Sequence, residues 1–376
     1  MEPTSIRNPM RDESLSVPPL TSDPRAFHRR LPGYEPTPLR DVPVLAEALG
    51  VGRVFVKDEA SRLGLPAFKM LGASWATYRA LVERLGAEPR WQTIEDLARV
   101  VDPLRPLTLA TATDGNHGRA LARMARLLGF GARIWVPDNT VAARVDAIAS
   151  EGAEVVVVRG SYDDAVREAA AAADDRTLVI SDTSWDGYET VPAWVIDGYS
   201  TIFAEIDEQT AAAALPEPTA VVVPIGVGAL AAAVVSHYRR PGQRATKLIG
   251  AEPTTAACVL ESIRAGRIST LDHEPGSIMA GLNCGTPSAV AWPLVSAGLD
   301  WLVAVDDDQA RDAVRALHAV GIVAGESGAA SLAAARQLRA DTGDDVLEPS
   351  DTLLLLSTEG ATDPVAYRAI VETPEA

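Results

Sequence analysis

From residue 54 onward, short β-branched apolar runs alternate with longer alanine-rich stretches. Val54-Phe55-Val56 precedes a helical pattern over 73–85, Leu107-Thr108-Leu109 precedes one over 118–128, and Arg133-Ile134-Trp135-Val136 precedes one over 141–150. Further apolar runs follow at 155–158, 178–180, 220–223, 247–251, 301–305 and 352–356. Strands separated by helices return to the same end of the sheet before each new strand. The predicted class is therefore α/β, with open, mostly parallel twisted sheets flanked by helices. Loops beyond the carboxyl ends of such strands carry the ligand in folds of this kind. The first 25 residues, rich in Pro, Ser, Arg and Asp and without periodicity, read as a surface arm.

The chain has 376 residues, a length for two domains of roughly 150 residues each with a large buried core. With 34 basic against 51 acidic residues the net charge is -17, which disfavours nucleic acid and anionic lipid as partners, since both need clustered positive charge. The expected partner is a small molecule. No basic start followed by an apolar stretch opens the chain, so no secretory signal is read and a cytoplasmic location is expected. Segment 218–238 carries no Asp, Glu, Lys or Arg over a length that could span a bilayer. Pro224, Gly226 and Gly228 interrupt it, and a buried strand, a glycine turn and a helix fit it better. The two cysteines, Cys258 and Cys284, are too few for a disulfide framework; one bridge or two free thiols both stay open, and two buried reduced thiols suit a reducing compartment. No His or Cys spacing suggests a metal site.

Only three of the basic residues are lysines, Lys57, Lys69 and Lys247, so any chemistry that needs an ε-amino group has three positions to use. Lys69 lies in Gly64-Leu65-Pro66-Ala67-Phe68-Lys69-Met70-Leu71-Gly72, apolar on both sides at the mouth of a helix. Lost hydration there favours the neutral amine, the form that Schiff-base chemistry requires. A lysine extending from a helix end would look the same. Lys57 is followed by Asp58 and Glu59, where an ion pair is expected, and Lys247 opens a strand as a solvated end.

Four loops follow strands. Thr113-Asp114-Gly115-Asn116-His117-Gly118-Arg119 opens an alanine-rich helix, and its small residues leave N–H groups that suit an anion such as a carboxylate. Thr113 or Asp114 serving as a plain N-cap would give the same pattern. Gly226-Val227-Gly228-Ala229-Leu230 follows a β-branched strand and can cradle a phosphate with backbone N–H groups. It also matches a dinucleotide fingerprint, with Glu252 standing 24 residues after Gly228. Ser357-Thr358-Glu359-Gly360 follows the last strand and brings hydroxyls suited to a heterocycle nitrogen, while Ser181-Asp182-Thr183-Ser184-Trp185-Asp186-Gly187-Tyr188 follows another. Turn chemistry with side-chain caps is the simpler account of the last two.

Taken in order, the apolar-flanked lysine, the Asn-bearing anion loop, the distal glycine turn and the terminal strand with Ser resemble the pyridoxal-phosphate enzymes of the tryptophan-synthase-β fold type (fold type II). Within them the chain is similar to the diaminopropionate ammonia-lyases, through the segments just quoted and through Ile278-Met279-Ala280-Gly281-Leu282 and Gly325-Glu326-Ser327-Gly328. The resemblance implies pyridoxal 5'-phosphate as cofactor, a homodimer, and α,β-elimination on 2,3-diaminopropionate to pyruvate and ammonia. It implies that Lys69 takes the cofactor in Schiff-base linkage, Asn116 bonds its 3′-oxygen, Gly226, Val227, Gly228, Ala229 and Leu230 hold the phosphate, and Ser357 meets the pyridine nitrogen. Thr113, Gly115 and His117 would face the substrate carboxylate. Lys69 would take the Cα proton of the L isomer and Asp114 that of the D isomer, with Asp182 near a substrate amine. Cys258 and Cys284 match positions where that family can carry a cysteine pair. The expected organisation is an arm at 1–25, a large cofactor-binding domain at 26–85 plus 206–376, and a small domain at 86–205. Two other readings stay open: a serine/threonine dehydratase or β-replacement synthase of the same fold, and an NAD(P)-dependent oxidoreductase built on the Gly226 turn.

Overall fold

The computed structural model describes residues 4–113, 115–242 and 246–372. Its strands are β1 (Ser5–Arg7), β2 (Leu39–Asp41), β3 (Arg53–Asp58), β4 (Thr108–Ala112), β5 (Gly131–Pro137), β6 (Glu154–Val158), β7 (Thr177–Val179), β8 (Ala220–Pro224), β9 (Lys247–Pro253), β10 (Trp301–Val305) and β11 (Thr352–Ser357). They form two sheets in two compact units.

The larger unit gathers the described parts of Met1–Thr21, Pro36–Ser61 and Ile202–Ala376. Its seven-stranded sheet runs β1-β10-β9-β8-β11-β3-β2, parallel throughout except at the two antiparallel edges, β1 on β10 and β2 on β3. β8 and β11 are buried along their whole length, as central parallel strands covered on both faces should be. Their register pairs Leu353 with Ala220 and Leu355 with Val222, so the glycine turn and the Ser357 loop leave the sheet at the carboxyl ends of adjacent strands. Helix Glu326–Thr342 crosses β8 to β11, and Ala329, Ala330, Ala333, Ala334 and Ala335 all enter the apolar core.

The smaller unit is Ser22–Glu35 with Arg62–Thr201, built on a wholly parallel sheet β6-β5-β4-β7. Helix Asn116–Leu128 packs between that sheet and helix Met70–Leu85. Gly118 makes the first contact close: a Cβ there would lie 2.4 Å from Thr113 Cγ2 and 2.6 Å from Ile134 Cγ2. At Gly72 a Cβ would lie 2.6 Å from Tyr199 Cε1 and 2.7 Å from Val195 Cγ1, and at Gly198 one would lie 2.6 Å from Leu71 O. These paired glycines let helices Met70–Leu85 and Thr190–Ala212 cross at backbone distance.

The expected boundaries move. Residues 62–85 belong to the smaller unit, because their helix buries most of its surface against Asn116–Leu128 and the Gly198 crossing. Residues 22–35, expected in the arm and the large domain, also fall in the smaller unit, while the described arm up to Thr21 is part of the larger one, with β1 as an edge strand and a buried Asn8 whose amide donates to Ser296 O and Leu299 O at 2.8 and 2.7 Å. Segment 218–238 becomes β8, the glycine turn and helix Ala229–Tyr238, and no helix among the described residues is long and apolar enough to cross a membrane.

Candidate active site

In the smaller unit, Lys69 occupies the position before helix Met70–Leu85. Its Nζ donates to Asp182 Oδ2 at 2.7 Å, with 19% of the lysine side chain and 8% of the aspartate side chain exposed. Phe68 lies 5.3 Å from Nζ, and Tyr199 packs on Phe68 at 4.7 Å between ring centroids. The apolar wall expected around Lys69 is present, and a carboxylate faces the amine as well, which favours its charged form while the amine is free. Burial alone would raise the Asp182 pKa, but the charge of Lys69 and its hydrogen bond hold it well below the usual carboxylate range.

His117, on the second residue of helix Asn116–Leu128, is buried. Its Nε2–H donates to Ile180 O at 2.8 Å, which leaves Nδ1 with its lone pair 3.9 Å from Asp182 Oδ2 and without a partner among the described residues. Burial lowers the His117 pKa, with Asp182 opposing, so the imidazole is neutral. Thr113 Oγ1 accepts from the amides of Gly115 at 2.9 Å and Gly118 at 3.1 Å. The hydroxyl thus closes the turn as a cap and uses two of the N–H groups expected to face an anion. Gly115, at φ 147°, is the residue that starts the helix, and a half-buried Asn116 follows. Asp114 lies outside the described residues. Tyr199 carried no signal in the sequence: it is fully buried beside Lys69 and Asp182, where burial raises the pKa of its hydroxyl and the Lys69 amine opposes the rise. A tyrosine inside an apolar helix carries no turn or motif signal that could have singled it out.

In the larger unit, β8 ends in the turn Gly226-Val227-Gly228, and Ala229 and Leu230 open helix Ala229–Tyr238. Gly228 is left-handed, at φ 98°, and a Cβ on Gly226 would lie 3.1 Å from both Cys284 Sγ and Gly281 O. The turn is held open by Val227 O accepting from Ser288 N at 2.8 Å. A helix start after glycines at the carboxyl end of a strand offers N–H groups and a positive dipole end to a phosphate. On the adjacent strand, Ser357 Oγ is buried and unpartnered among the described residues. An unpaired buried hydroxyl costs about 1–3 kcal/mol. It therefore suits a partner brought by a ligand, and the pair of features fits the phosphate and ring nitrogen of pyridoxal phosphate.

Glu252 does not serve a ribose. It is fully buried, and its two oxygens accept from the amides of Val259 and Leu260, both at 2.8 Å, at the start of helix Cys258–Ala265. Both oxygens are used inside the fold, which removes the acid that the dinucleotide reading needs. Cys258 and Cys284 are buried thiols not joined in a disulfide, with Cys258 Sγ 3.6 Å from Gly226 O. Lys57 reaches well beyond its sequence neighbours. Its buried Nζ donates to Glu205 Oε2 and Thr37 O, each at 2.8 Å, while Asp58 accepts from Arg40 and Glu59 from Thr37. Lys247 bonds Glu348 and Asp351 at the start of β9.

Comparison with known proteins places these features in a family setting. The family described as pyridoxal-phosphate dependent enzyme matches residues 30–358. Diaminopropionate ammonia-lyase of Salmonella typhimurium is 34% identical over 92% of this chain and 90% of that protein, and the one of Escherichia coli K12 is 35% identical over the same shares. A crystal structure of the Escherichia coli diaminopropionate ammonia-lyase, in complex with an aminoacrylate-PLP azomethine reaction intermediate, superposes with a TM-score of 0.88 at 33% identity, covering 98% of this chain and 96% of that one.

Proposed function

We propose, for a chain that belongs to the pyridoxal-phosphate-dependent enzymes and within them to the diaminopropionate ammonia-lyases, a site assembled from the residues described above. The chain is a pyridoxal-phosphate-dependent carbon-nitrogen lyase. It performs α,β-elimination on 2,3-diaminopropionate, which with one water gives pyruvate and two molecules of ammonia.

When bound, pyridoxal phosphate supplies a carbonyl that condenses with amines and a ring that accepts the electrons of a breaking Cα–H bond. Lys69 Nζ is the amine that carries it, and the same nitrogen takes the Cα proton of the L isomer. Asp114 takes that proton from the D isomer. The Gly226, Val227, Gly228, Ala229 and Leu230 segment holds the phosphate, Asn116 meets the 3′-oxygen and Ser357 the ring nitrogen. His117 faces the substrate carboxylate through its backbone amide, while Thr113 and Gly115 shape that loop, the Thr113 hydroxyl holding the Gly115 and Gly118 amides. Asp182 stays ionised and holds the substrate's 3-ammonium before it leaves.

One observation carries the choice of substrate: a buried, ionised Asp182 stands within hydrogen-bond reach of the Lys69 amine. Such a carboxylate suits a substrate with a second, cationic amine, which serine and threonine lack. Comparing pyruvate release from diaminopropionate and from serine tests this. Faster release from serine would reject it in favour of a dehydratase. We propose further that the enzyme is a cytoplasmic homodimer, a reading supported by the family resemblance; light scattering behind size-exclusion chromatography checks the dimer.

A further inference from the structure

Asp182 sits on a loop that carries its own clamp. The Tyr188 hydroxyl donates to Val179 O at 2.8 Å and accepts from the Ser181 amide at 3.0 Å. One phenol thus closes the backbone on either side of Ile180. Ile180 is itself fixed twice, its carbonyl by His117 Nε2–H at 2.8 Å and its amide by Ala110 O at 2.8 Å. The Tyr188 ring lies flat on Trp185, with centroids 4.1 Å apart and planes 7° from parallel, and Tyr188 N donates to Trp185 O at 2.9 Å across a turn that contains Gly187 at φ 79°. Burial raises the phenol's pKa further above its ordinary value, so the hydroxyl keeps its proton and both of its bonds. Donor and acceptor are each used, and neither touches Asp182.

We propose that Tyr188 is a positioning residue for the elimination: through Val179 and Ser181 it fixes the backbone that holds the Asp182 carboxylate against the Lys69 amine. This rests on the role given to Asp182 above. A phenylalanine at 188 keeps the stacked ring and removes a single oxygen, so it isolates the clamp from the packing.

The test uses the holoenzyme. Misplacing a reacting group by about 1 Å can cost 10²-fold, and Tyr188→Phe, which loosens the segment without deleting the acid, is expected to lower kcat for pyruvate release about tenfold with KM within about twofold. Exchange of the Ser181 amide should quicken, a readout independent of activity. In an Asp182→Asn background the same change should add no further loss, because residues acting through one another are not additive. An equal loss in both backgrounds, an unchanged kcat, or unchanged Ser181 exchange overturns the inference. Should Tyr188→Phe fail to accumulate as folded protein, Trp185→Leu removes the stacked support and is read in the same two backgrounds. Pyruvate release by the unsubstituted enzyme is measured first. Its absence there refutes the assigned reaction, and the Ser181 exchange still decides the clamp.

Discussion

Lys69 Nζ donates to Asp182 Oδ2 across 2.7 Å, an ion pair between residues 113 positions apart in the chain. The other two lysines are committed elsewhere, Lys57 to Glu205 and Lys247 to Glu348 and Asp351. Lys69→Ala should therefore lose both the visible absorption of bound cofactor and the activity, the latter by about 10³-fold or more. The lysine side chain is partly exposed, so the fold should persist, with some loss of stability from the Asp182 carboxylate left without its partner. Absorption spectra after dialysis check the first outcome and circular dichroism the second.

Asp182→Asn should lower kcat about 10²-fold, within the range for a positioned charged group. Its folded-state pKa is depressed below the unfolded value, so the stability it contributes is complete above about pH 4 and is lost as the pH falls toward the folded value. The variant should accordingly show a shallower loss of melting temperature between about pH 4 and pH 2 than the parent, read by calorimetry.

Ser357→Ala removes a hydroxyl that has no protein partner among the described residues, so the apoprotein should be no less stable. Affinity for pyridoxal phosphate should fall by about fivefold to tenfold, the worth of one hydrogen bond of about 1 kcal/mol. Equilibrium dialysis of the cofactor measures it, and an unchanged affinity would remove Ser357 from the site.

Glu252 is pushed up to about 8 by burial, with the Val259 and Leu260 amides pulling the other way. A group whose folded pKa lies above its unfolded one stabilises fully below the unfolded value, near 4.5, and loses that contribution as the pH rises through about 8. Melting temperature should decline between about pH 5 and pH 9 more steeply in the parent than in Glu252→Gln. Scans at both ends of that window decide it.

The parallel strands were legible because each is a short apolar run bounded by turns; β10 carries the limits that the pattern suggested, Trp301–Val305. β1 and β2 were not, since each is three residues long with mixed burial and no apolar run. Lys69, Asp182 and His117 could be picked out one by one from their strand and helix ends, but their meeting could not, because it depends on where helices cross. The Gly72 and Gly198 approach that brings Tyr199 beside Lys69 leaves no local mark beyond two small residues 126 positions apart. Lys57 shows the limit from the other side: its nearest carboxylates in sequence lie beside it on the strand, and its partner comes from 148 residues away. Glu252 matched a motif by spacing, and its burial gave it a different task.

The seven-stranded sheet is closed at one end by β1 and at the other by β2. Without Ser5–Arg7, β10 would present a row of unpaired N–H and C=O groups beside the apolar Leu302-Val303-Ala304-Val305, the template on which foreign strands add. The opening residues are in this sense a guard against self-association. A tag or truncation that disturbs residues 5–8 puts solubility at risk well before it reaches any residue of the chemistry, and light scattering would register that first.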